Sequence, residues 1–335
     1  MLASLLLGSL LVQTPSSLPP IGLALNVKES AREEDFLDSA REQIRFGLTA
    51  STVSYSWNEL EPTPGAFDLK KADDSIGIAK FVGGDAYVTI KVLDTTNKIL
   101  PEDLKGQALN SPEVKERFAT LLRNLLSRFN NKVKAISLGN EVDVYLTAHP
   151  EEVPAYLDFL AAGRAVLKES APDMKCGVTT TFEGLQQNRP LIEKLQNGSD
   201  VVFMTYYATK PDFSPQPLTE VPKNFSTMLI FAGSRKLALQ EIGLPASETL
   251  SSSEDIQAKF VTTVFDLLRK HKNQIEMAAY FIQVDFNRDL LDVYAKYYGS
   301  DDPRFRAFLG TLGLRKADGT PRKAHAEFKK QLQQG

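Results

Sequence analysis

Residues 135–146, AISLGNEVDVYL, join a short apolar run to two polar residues that follow a glycine. The first four residues have the length and composition of a buried strand, and Gly139 is the first position at which the chain is free to bend. Asn140 and Glu141 come directly after it. A carboxylate at the end of a buried strand is held in a partly dry place, where its pKa can be raised for acid catalysis. A helix N-cap followed by a first-turn glutamate would explain the same dipeptide.

A second stretch, residues 236–247, KLALQEIGLPAS, repeats this arrangement. Residues 237–239 predict a strand, Glu241 stands just past it, and a Gly-x-Pro turn follows. The two glutamates are 100 residues apart. A strand and helix unit of a barrel takes roughly 30 residues, since the whole fold needs about 250. The interval is therefore about three units, and we expect both carboxylates to face one cavity.

The rest of the chain alternates predicted strands with amphipathic helices. Strands are predicted at 21–26, 48–55, 86–93, 135–138, 175–180, 201–207, 237–239 and 277–284. Continuous apolar strands between helices imply a parallel sheet, and about eight such units imply an α/β fold, a single (β/α)8 TIM barrel over residues 21–335. The alternative is an open doubly wound sheet, which requires a Gly-rich phosphate turn after the first strand, and residues 26–28 have none. Residues 210–222, rich in proline, predict a long loop over the mouth.

Composition limits the classes of function. Hydrophobic residues at 42% and charged residues at 24% are typical of a soluble globular protein. A net charge of −3 with no basic stripe argues against a nucleic-acid partner. The single cysteine, Cys176, cannot form an intrachain disulfide and lies in an apolar run typical of a buried residue. Because His149, His271 and His325 are widely separated and have no Cys near them, a metal-ligand cluster and a Ser-His-Asp triad are both poorly supported. We expect no metal, no cofactor and a monomer.

Residues 2–12 form an apolar run of signal-peptide length that is too short to span a bilayer. A polar, proline-rich stretch follows at 13–20, but the run has no preceding Lys or Arg and no clear small-x-small cleavage site after it. On the general form of such signals, we interpret residues 1–20 as a signal peptide or N-terminal extension. This predicts a secreted or periplasmic protein without a membrane span in the mature chain. The alternative is an N-terminal helix that covers the bottom of the barrel.

With these residues placed, the chain resembles the clan of retaining glycoside hydrolases built on (β/α)8 barrels, clan A, whose catalytic glutamates lie on strands four and seven. The Asn-Glu pair of the clan is similar to Asn140-Glu141, and its Glu-x-Gly nucleophile is similar to Glu241-Ile242-Gly243. Several of its families carry W-x-x-x-E-P-x-x-G after strand two, as residues 57–65 do here. At strand six the clan has His-x-Tyr or Asn-Tyr-Tyr, so in residues 205–207 Tyr207 matches and Thr205 departs.

The resemblance implies a hydrolase of β-glycosidic bonds in a poly- or oligosaccharide that retains configuration by double displacement. Glu241 would be the nucleophile and Glu141 the acid and base. By the same resemblance Asn140 would bind the substrate 2-hydroxyl, and Tyr207 would orient Glu241. Many clan members also place a tryptophan at the end of strand eight as a sugar platform, whereas Trp57 is the only tryptophan of this chain.

Two further residues and two further functions stay open. Trp57 could stack on a sugar or belong to the core of its loop. Lys91, in the third strand, could contact substrate or pair with a carboxylate. One alternative function is an inactive barrel that binds carbohydrate or a protein partner, and another is a Schiff-base lyase or aldolase that uses Lys91. The presence of both glutamates favours a hydrolase with a carbohydrate substrate.

Overall fold

The computed structural model describes residues 17–26, 33–82, 84–129 and 131–334. The apolar run at 2–12 therefore lies outside the described residues. Leu18 is buried, and the carbonyl of Pro20 accepts a hydrogen bond from the amide of Ala278 at 3.0 Å. The folded part of the chain thus includes residues 18–20, which the sequence pattern assigns to the N-terminal extension.

The described strands and helices alternate along most of the chain. The strands are β1 Ile21–Leu23, β2 Ala50–Ser56, β3 Asp85–Lys91, β4 Leu93–Asp94, β5 Asn97–Lys98, β6 Val133–Ser137, β7 Lys175–Gly177, β8 Thr179–Thr181, β9 Val201–Tyr207, β10 Lys236–Gly243 and β11 Ile275–Tyr280. The helices are α1 Glu33–Phe46, α2 Trp57–Leu60, α3 Lys70–Val82, α4 Pro112–Phe129, α5 Val142–Ala148, α6 Val153–Ser170, α7 Phe182–Gln187, α8 Arg189–Gln196, α9 Val221–Ala232, α10 Glu254–Lys270, α11 Arg288–Tyr298, α12 Pro303–Leu309 and α13 Lys323–Gln333. None of the helices in this described part is long and apolar enough to cross a bilayer.

The long strands form two parallel sheets. Their orders are β1-β11-β10-β9-β8 and β2-β3-β6-β7, while β4 and β5 make a separate antiparallel pair. The sheets adjoin at both edges, because the amide of Thr49 donates to the carbonyl of Ile21 at 3.0 Å and Val178 alone separates β7 from β8. This confirms a mixed α/β fold with parallel strands. The eight predicted strands correspond to β1, β2, β3, β6, β7 with β8, β9, β10 and β11.

Two layers of side chains lie between the sheets. The lower layer is apolar and comes from six strands: Ala50, Tyr87, Ala135, Val201, Phe203, Ala238, Met277 and Ala279. The upper layer is polar, and Gln240 is its centre. The Gln240 side-chain oxygen accepts from the hydroxyls of Thr89 at 2.9 Å and Thr179 at 2.7 Å, and Ser137 bonds Thr179 at 2.7 Å. The polar layer leads towards the carboxyl ends of the strands, where functional residues collect in folds of this kind.

The N-terminus and the buried face of helix α4 both follow from its sequence. The hydroxyl of Ser111 accepts from the amide of Val114 at 3.4 Å, and Pro112 occupies the first turn, where its missing N–H costs nothing. An apolar stripe at helical spacing is buried along its whole length, at Val114, Phe118, Leu121, Leu122 and Leu125. The stripe packs α4 against α6 and fixes the elements on either side of β6.

Candidate active site

Glu141 is placed by a sharp turn at the end of β6. Gly139 has φ of +124°, a conformation open to glycine, and a Cβ there would lie 2.8 Å from the hydroxyl of Tyr156. Glu141 itself has left-handed φ and ψ of 47° and 42°. Strained backbone of this kind is found at functional sites. The turn carries Glu141 out of the strand and into the cavity above it.

Two hydroxyls hold the carboxylate of Glu141. Thr95 donates to one oxygen and Thr205 to the other, each at 2.8 Å. Burial raises the pKa of Glu141 above its ordinary value, whereas the hydrogen bonds from Thr205 and Thr95 act in the opposite direction. A hydroxyl can donate to the ionised carboxylate or accept from the protonated acid, so both forms of Glu141 keep their partners.

Glu241 lies on β10 beside β9. In the strand register Glu241 is paired with Thr205, whose hydroxyl reaches Glu141, so the two glutamates share one neighbour. The phenol of Tyr207 donates to Glu241 at 2.6 Å. Burial raises the pKa of Glu241 to about 7, and the charge of Glu141 adds to this effect. The two carboxyl groups thus interact electrostatically across the same cavity.

The cavity has a volume of about 800 Å³. Its floor carries Lys91, Asn140, Glu141, Glu183, Gln240 and Glu241. Its wall is mainly aromatic, with Tyr207, Phe213, Phe281, Phe286, Tyr294, Tyr298, Phe305 and Phe308. A volume of this size with a few polar groups on an apolar wall is typical of a site for a small organic ligand.

A network centred on Asp94 supports the floor of the cavity. Asp94 is buried and accepts from Asn140 at 2.9 Å, from Lys91 at 2.9 Å and from the phenol of Tyr297 at 2.6 Å. The side-chain oxygen of Asn140 accepts from Gln240 at 3.1 Å. Asn140 is therefore held at both ends of its amide and still lines the cavity.

Lys91 lines the cavity and is paired with Asp94. Burial lowers the pKa of the Lys91 amine, but the charge and the hydrogen bond of Asp94 raise it above the ordinary value. A Schiff-base lysine needs the opposite shift, because only the neutral amine attacks a carbonyl. The geometry favours the interpretation of Lys91 as a paired cation at the edge of the site.

The proposed sugar-stacking role of Trp57 is wrong. Its side chain is 0% exposed and does not line the cavity. The indole N–H donates to Glu61 at 2.8 Å, and the ring packs on Phe118 and Phe159. Because Glu61 also accepts from the amide of Gly65, Trp57 belongs to the core of its loop, the alternative that the sequence left open.

Sequence reasoning missed several residues of the site. Glu183 and Gln240 line the floor, and Thr95 holds Glu141. Phe281 follows β11 directly and lines the cavity. It stands at the strand end where many members of the clan have a tryptophan. The predicted strand at 277–284 includes Phe281, whereas β11 ends at Tyr280. The predicted loop over the mouth does contribute, through Lys210, Pro211 and Phe213.

No family model and no curated protein sequence matches the chain. Solved structures do. One is a GH5_18 variant from Streptomyces cattleya in complex with Manb1-4GlcNAc, with 16% identity and a TM-score of 0.73 over 94% of this chain and 80% of that one. Another is the exo-beta-1,4-mannosidase Op5Man5 from Opitutaceae bacterium strain TAV5, with 17% identity and a TM-score of 0.73 over 95% and 59%. A third is a family 39 glycoside hydrolase from Bacteroides cellulosilyticus WH2, with 15% identity and a TM-score of 0.65 over 94% and 64%.

The chain has the fold of these glycoside hydrolases. The expected resemblance to retaining glycosidases of clan A is thereby confirmed at the level of the fold. At 15–17% identity the likeness carries no residue roles with it, so the assignment of each side chain depends on the geometry of this cavity.

Outside this cavity, one group of described side chains approaches metal-ligand geometry. Ligand atoms of His149, Glu151 and Glu152 lie within 4.8 Å of one another. Glu152, however, accepts from the phenol of Tyr145 at 2.7 Å and pairs with Lys98 at 2.7 Å. Because Glu152 already has a cationic partner, this group has the contacts of a surface ion-pair cluster.

Proposed function

We propose that the protein is a glycoside hydrolase that cleaves β-glycosidic bonds in an oligo- or polysaccharide with retention of configuration. The observation that carries the proposal is the placement of Glu141 and Glu241 at the carboxyl ends of two parallel strands, in one cavity, with Thr205 beside both. The ligand Manb1-4GlcNAc of the Streptomyces cattleya structure is β-linked and supports the choice of bond. We also infer that the two adjoining sheets form one closed (β/α)8 barrel.

The surroundings of each glutamate support its role. The hydrogen bond from Tyr207 and the charge of Lys91 favour the ionised, nucleophilic form of Glu241, whereas burial and the charge of Glu141 act in the opposite direction and raise its pKa to about 7. Glu141 keeps hydroxyl partners in either protonation state. Proton donation by Glu141 to the leaving oxygen, with attack of Glu241 on the anomeric carbon, forms a glycosyl ester. The ester removes the charge of Glu241, so Glu141 then accepts a proton from the attacking water.

The test is turnover of a panel of aryl β-glycosides and β-linked oligosaccharides by purified protein, with the product anomer followed by NMR. We expect hydrolysis with the β-anomer formed first. Formation of the α-anomer would instead indicate an inverting enzyme, in which the two carboxyl groups stand about 6.5–9.5 Å apart. Binding of oligosaccharide without turnover would leave the inactive barrel as the function.

Export remains part of the proposal. Leu18 is buried in the folded part, so a signal cleavage site would have to precede it. N-terminal sequencing of the protein from its native host decides the point, and an intact Met1 on soluble cytoplasmic protein would contradict export.

A further inference from the structure

Glu183 is a third glutamate of the cavity that the proposed mechanism does not use. It lies two residues after the end of β8, in the first turn of α7, and lines the cavity. No side chain of the described residues hydrogen-bonds or pairs with its carboxyl group. The carboxyl group accepts a hydrogen bond from the backbone amide of Glu183 itself, and its remaining hydrogen-bonding capacity is available for a ligand.

The backbone on both sides of Glu183 is fixed. The carboxylate of Asp143 accepts from the amide of Thr181 at 2.9 Å and from its hydroxyl at 2.7 Å, and that hydroxyl accepts from the amide of Gly184 at 2.8 Å. Phe182 is fully buried and packs edge-on against Tyr206 with ring centroids 5.2 Å apart. The neighbours of Glu183 therefore have structural contacts, while its own side chain faces the cavity.

The position of Glu183 relative to the two catalytic candidates indicates which part of a substrate it meets. In the sheet β9 lies between β8 and β10, so Glu183 is on the far side of β9 from Glu241. The charges of Glu141 and Asp143 both act on the Glu183 carboxyl. An acid that protonates the leaving oxygen must lie beside the leaving group. The sugar that departs therefore lies near Glu141, on one of its two sides.

The opposite side of Glu141 is bounded by Thr95 and by helix α11. Thr95 donates a hydrogen bond to Glu141 on this side. Helix α11 is anchored close by, because the phenol of Tyr297 donates to Asp94 and the side-chain amide of Asn97 donates to the Tyr297 carbonyl at 3.0 Å. Tyr294 and Tyr298 of the same helix complete this wall. The wall suits the sugar that becomes attached to Glu241, and it leaves the side of Glu183 for the leaving sugar.

We propose that Glu183 binds the leaving-group sugar through a hydrogen bond to one of its hydroxyl or amide groups and so determines which sugar is accepted there. This inference rests on the proposed glycosidase function. Burial raises the pKa of Glu183 to about 8, so near neutral pH the acid can both donate and accept.

The experiment compares two substrates with the same transferred sugar: a 2,4-dinitrophenyl β-glycoside, whose leaving group is not a sugar, and the matching β-linked disaccharide. Glu183→Leu should lower kcat/KM for the disaccharide by roughly 10- to 100-fold, because it leaves a polar group of the bound sugar unpaired. The dinitrophenyl glycoside should be hydrolysed at the wild-type rate. Glu183→Gln keeps a donor and an acceptor and should stay within about threefold of wild type on both.

A second measurement asks how the glycosyl-enzyme divides between transfer to a sugar acceptor and hydrolysis. With added sugar acceptor, Glu183→Leu should give less transfer product relative to hydrolysis than wild type does, since the acceptor occupies the leaving-group position. Glu116 is an exposed residue of α4, and Glu116→Leu is the control. It should change neither the ratio of kcat/KM for the two substrates nor the ratio of transfer to hydrolysis. Equal loss on both substrates, or no loss on the disaccharide, would overturn the role of Glu183. A wild-type protein that hydrolyses no glycoside would overturn the proposed function and this inference together.

Discussion

Gln240 and Asn140, the residues directly before the two glutamates, are hydrogen-bonded to each other: the Gln240 amide donates to the Asn140 oxygen at 3.1 Å. The Gln240 oxygen also accepts from Thr89 and Thr179. One buried amide thus joins β10 to the end of β6. We expect the relative position of the two carboxyl groups to depend on this side chain, although its hydrogen bonds go to Thr89, Thr179 and Asn140 and not to the glutamates.

Gln240→Leu keeps the volume and removes the bonds. Leaving Asn140, Thr89 and Thr179 short of a partner should reduce the free energy of unfolding by about 1–3 kcal/mol. A shift of the glutamates by about 1 Å would cost on the order of 100-fold in kcat. Urea denaturation and kcat on an aryl glycoside measure the two effects, with Thr89→Ser as the control that keeps its hydroxyl. A folded variant with wild-type kcat would show that the amide has no part in positioning.

The two glutamates should differ in chemical rescue. Glu141→Ala should still turn over substrates with good leaving groups, and azide should restore its rate and give the β-glycosyl azide, because the anion attacks the glycosyl ester. Glu241→Ala should lose almost all turnover, and azide should give the α-azide by direct attack on the opposite face. NMR of the azide product assigns the anomer. The same anomer from both variants would refute the assigned roles.

The hydroxyls of Thr95 and Thr205 should set the alkaline limit of activity. Both stabilise the ionised form of Glu141, so Thr95→Val or Thr205→Val should raise the pKa of this acid. Glycosylation needs protonated Glu141, and the fall of kcat/KM at high pH should move to higher pH in each variant. Thr209→Val, which changes a cavity residue without a bond to Glu141, should leave the fall of kcat/KM at the same pH. A fall that moves to lower pH in the Thr95 and Thr205 variants would contradict the interpretation.

Glu241 should make the wild-type protein less stable as pH rises. Its pKa is raised by burial to about 7, so between its ordinary pKa of 4.5 and pH 7 the unfolded chain loses this proton while the folded chain keeps it. Stability from this group is therefore highest at low pH and falls across that window. Glu241→Gln cannot titrate and keeps an acceptor for Tyr207, so its Tm relative to wild type should rise from pH 4.5 to 7 and then level off. A constant difference in Tm between pH 4.5 and 8 would exclude this penalty.

The sequence predicts correctly that Glu141 and Glu241 face one cavity, because both residues lie at strand ends. Glu141, Asn140 and Glu241 line one cavity, and Tyr207 donates to Glu241 as the resemblance implied. A buried strand followed by a glycine or a polar residue is a local signal. It needs no knowledge of what lies across the sheet.

The errors lie where distant partners override the local pattern. The spacing of apolar residues in 29–46 predicts a helix with Ile44 on its buried face, but Ile44 is 40% exposed, whereas Gln43 is 3% exposed. Gln43 is buried because its amide donates to Gln283, 240 positions away in the chain. Trp57 is buried because its ring packs on Phe118 and Phe159, which lie 61 and 102 positions further along the chain. Helix α11 was not predicted, because its tyrosines face a cavity whose other walls come from remote strands.

The aromatic wall has a consequence for how this protein could change its preferences. Apart from Tyr207 and Phe213, the wall comes from one uninterrupted stretch, residues 281–309, whereas the two glutamates lie 40 and 140 positions before that stretch begins. Under the proposed function, most of the aromatic wall and the two reacting carboxyl groups thus lie in separate parts of the chain, and Glu183 is a polar contributor to selectivity outside the aromatic stretch. A mutagenesis library confined to residues 281–309 can therefore vary the shape of the cavity without changing the strands that carry Glu141 and Glu241. Recombination with a single crossover near residue 280 would replace most of the aromatic wall in one step.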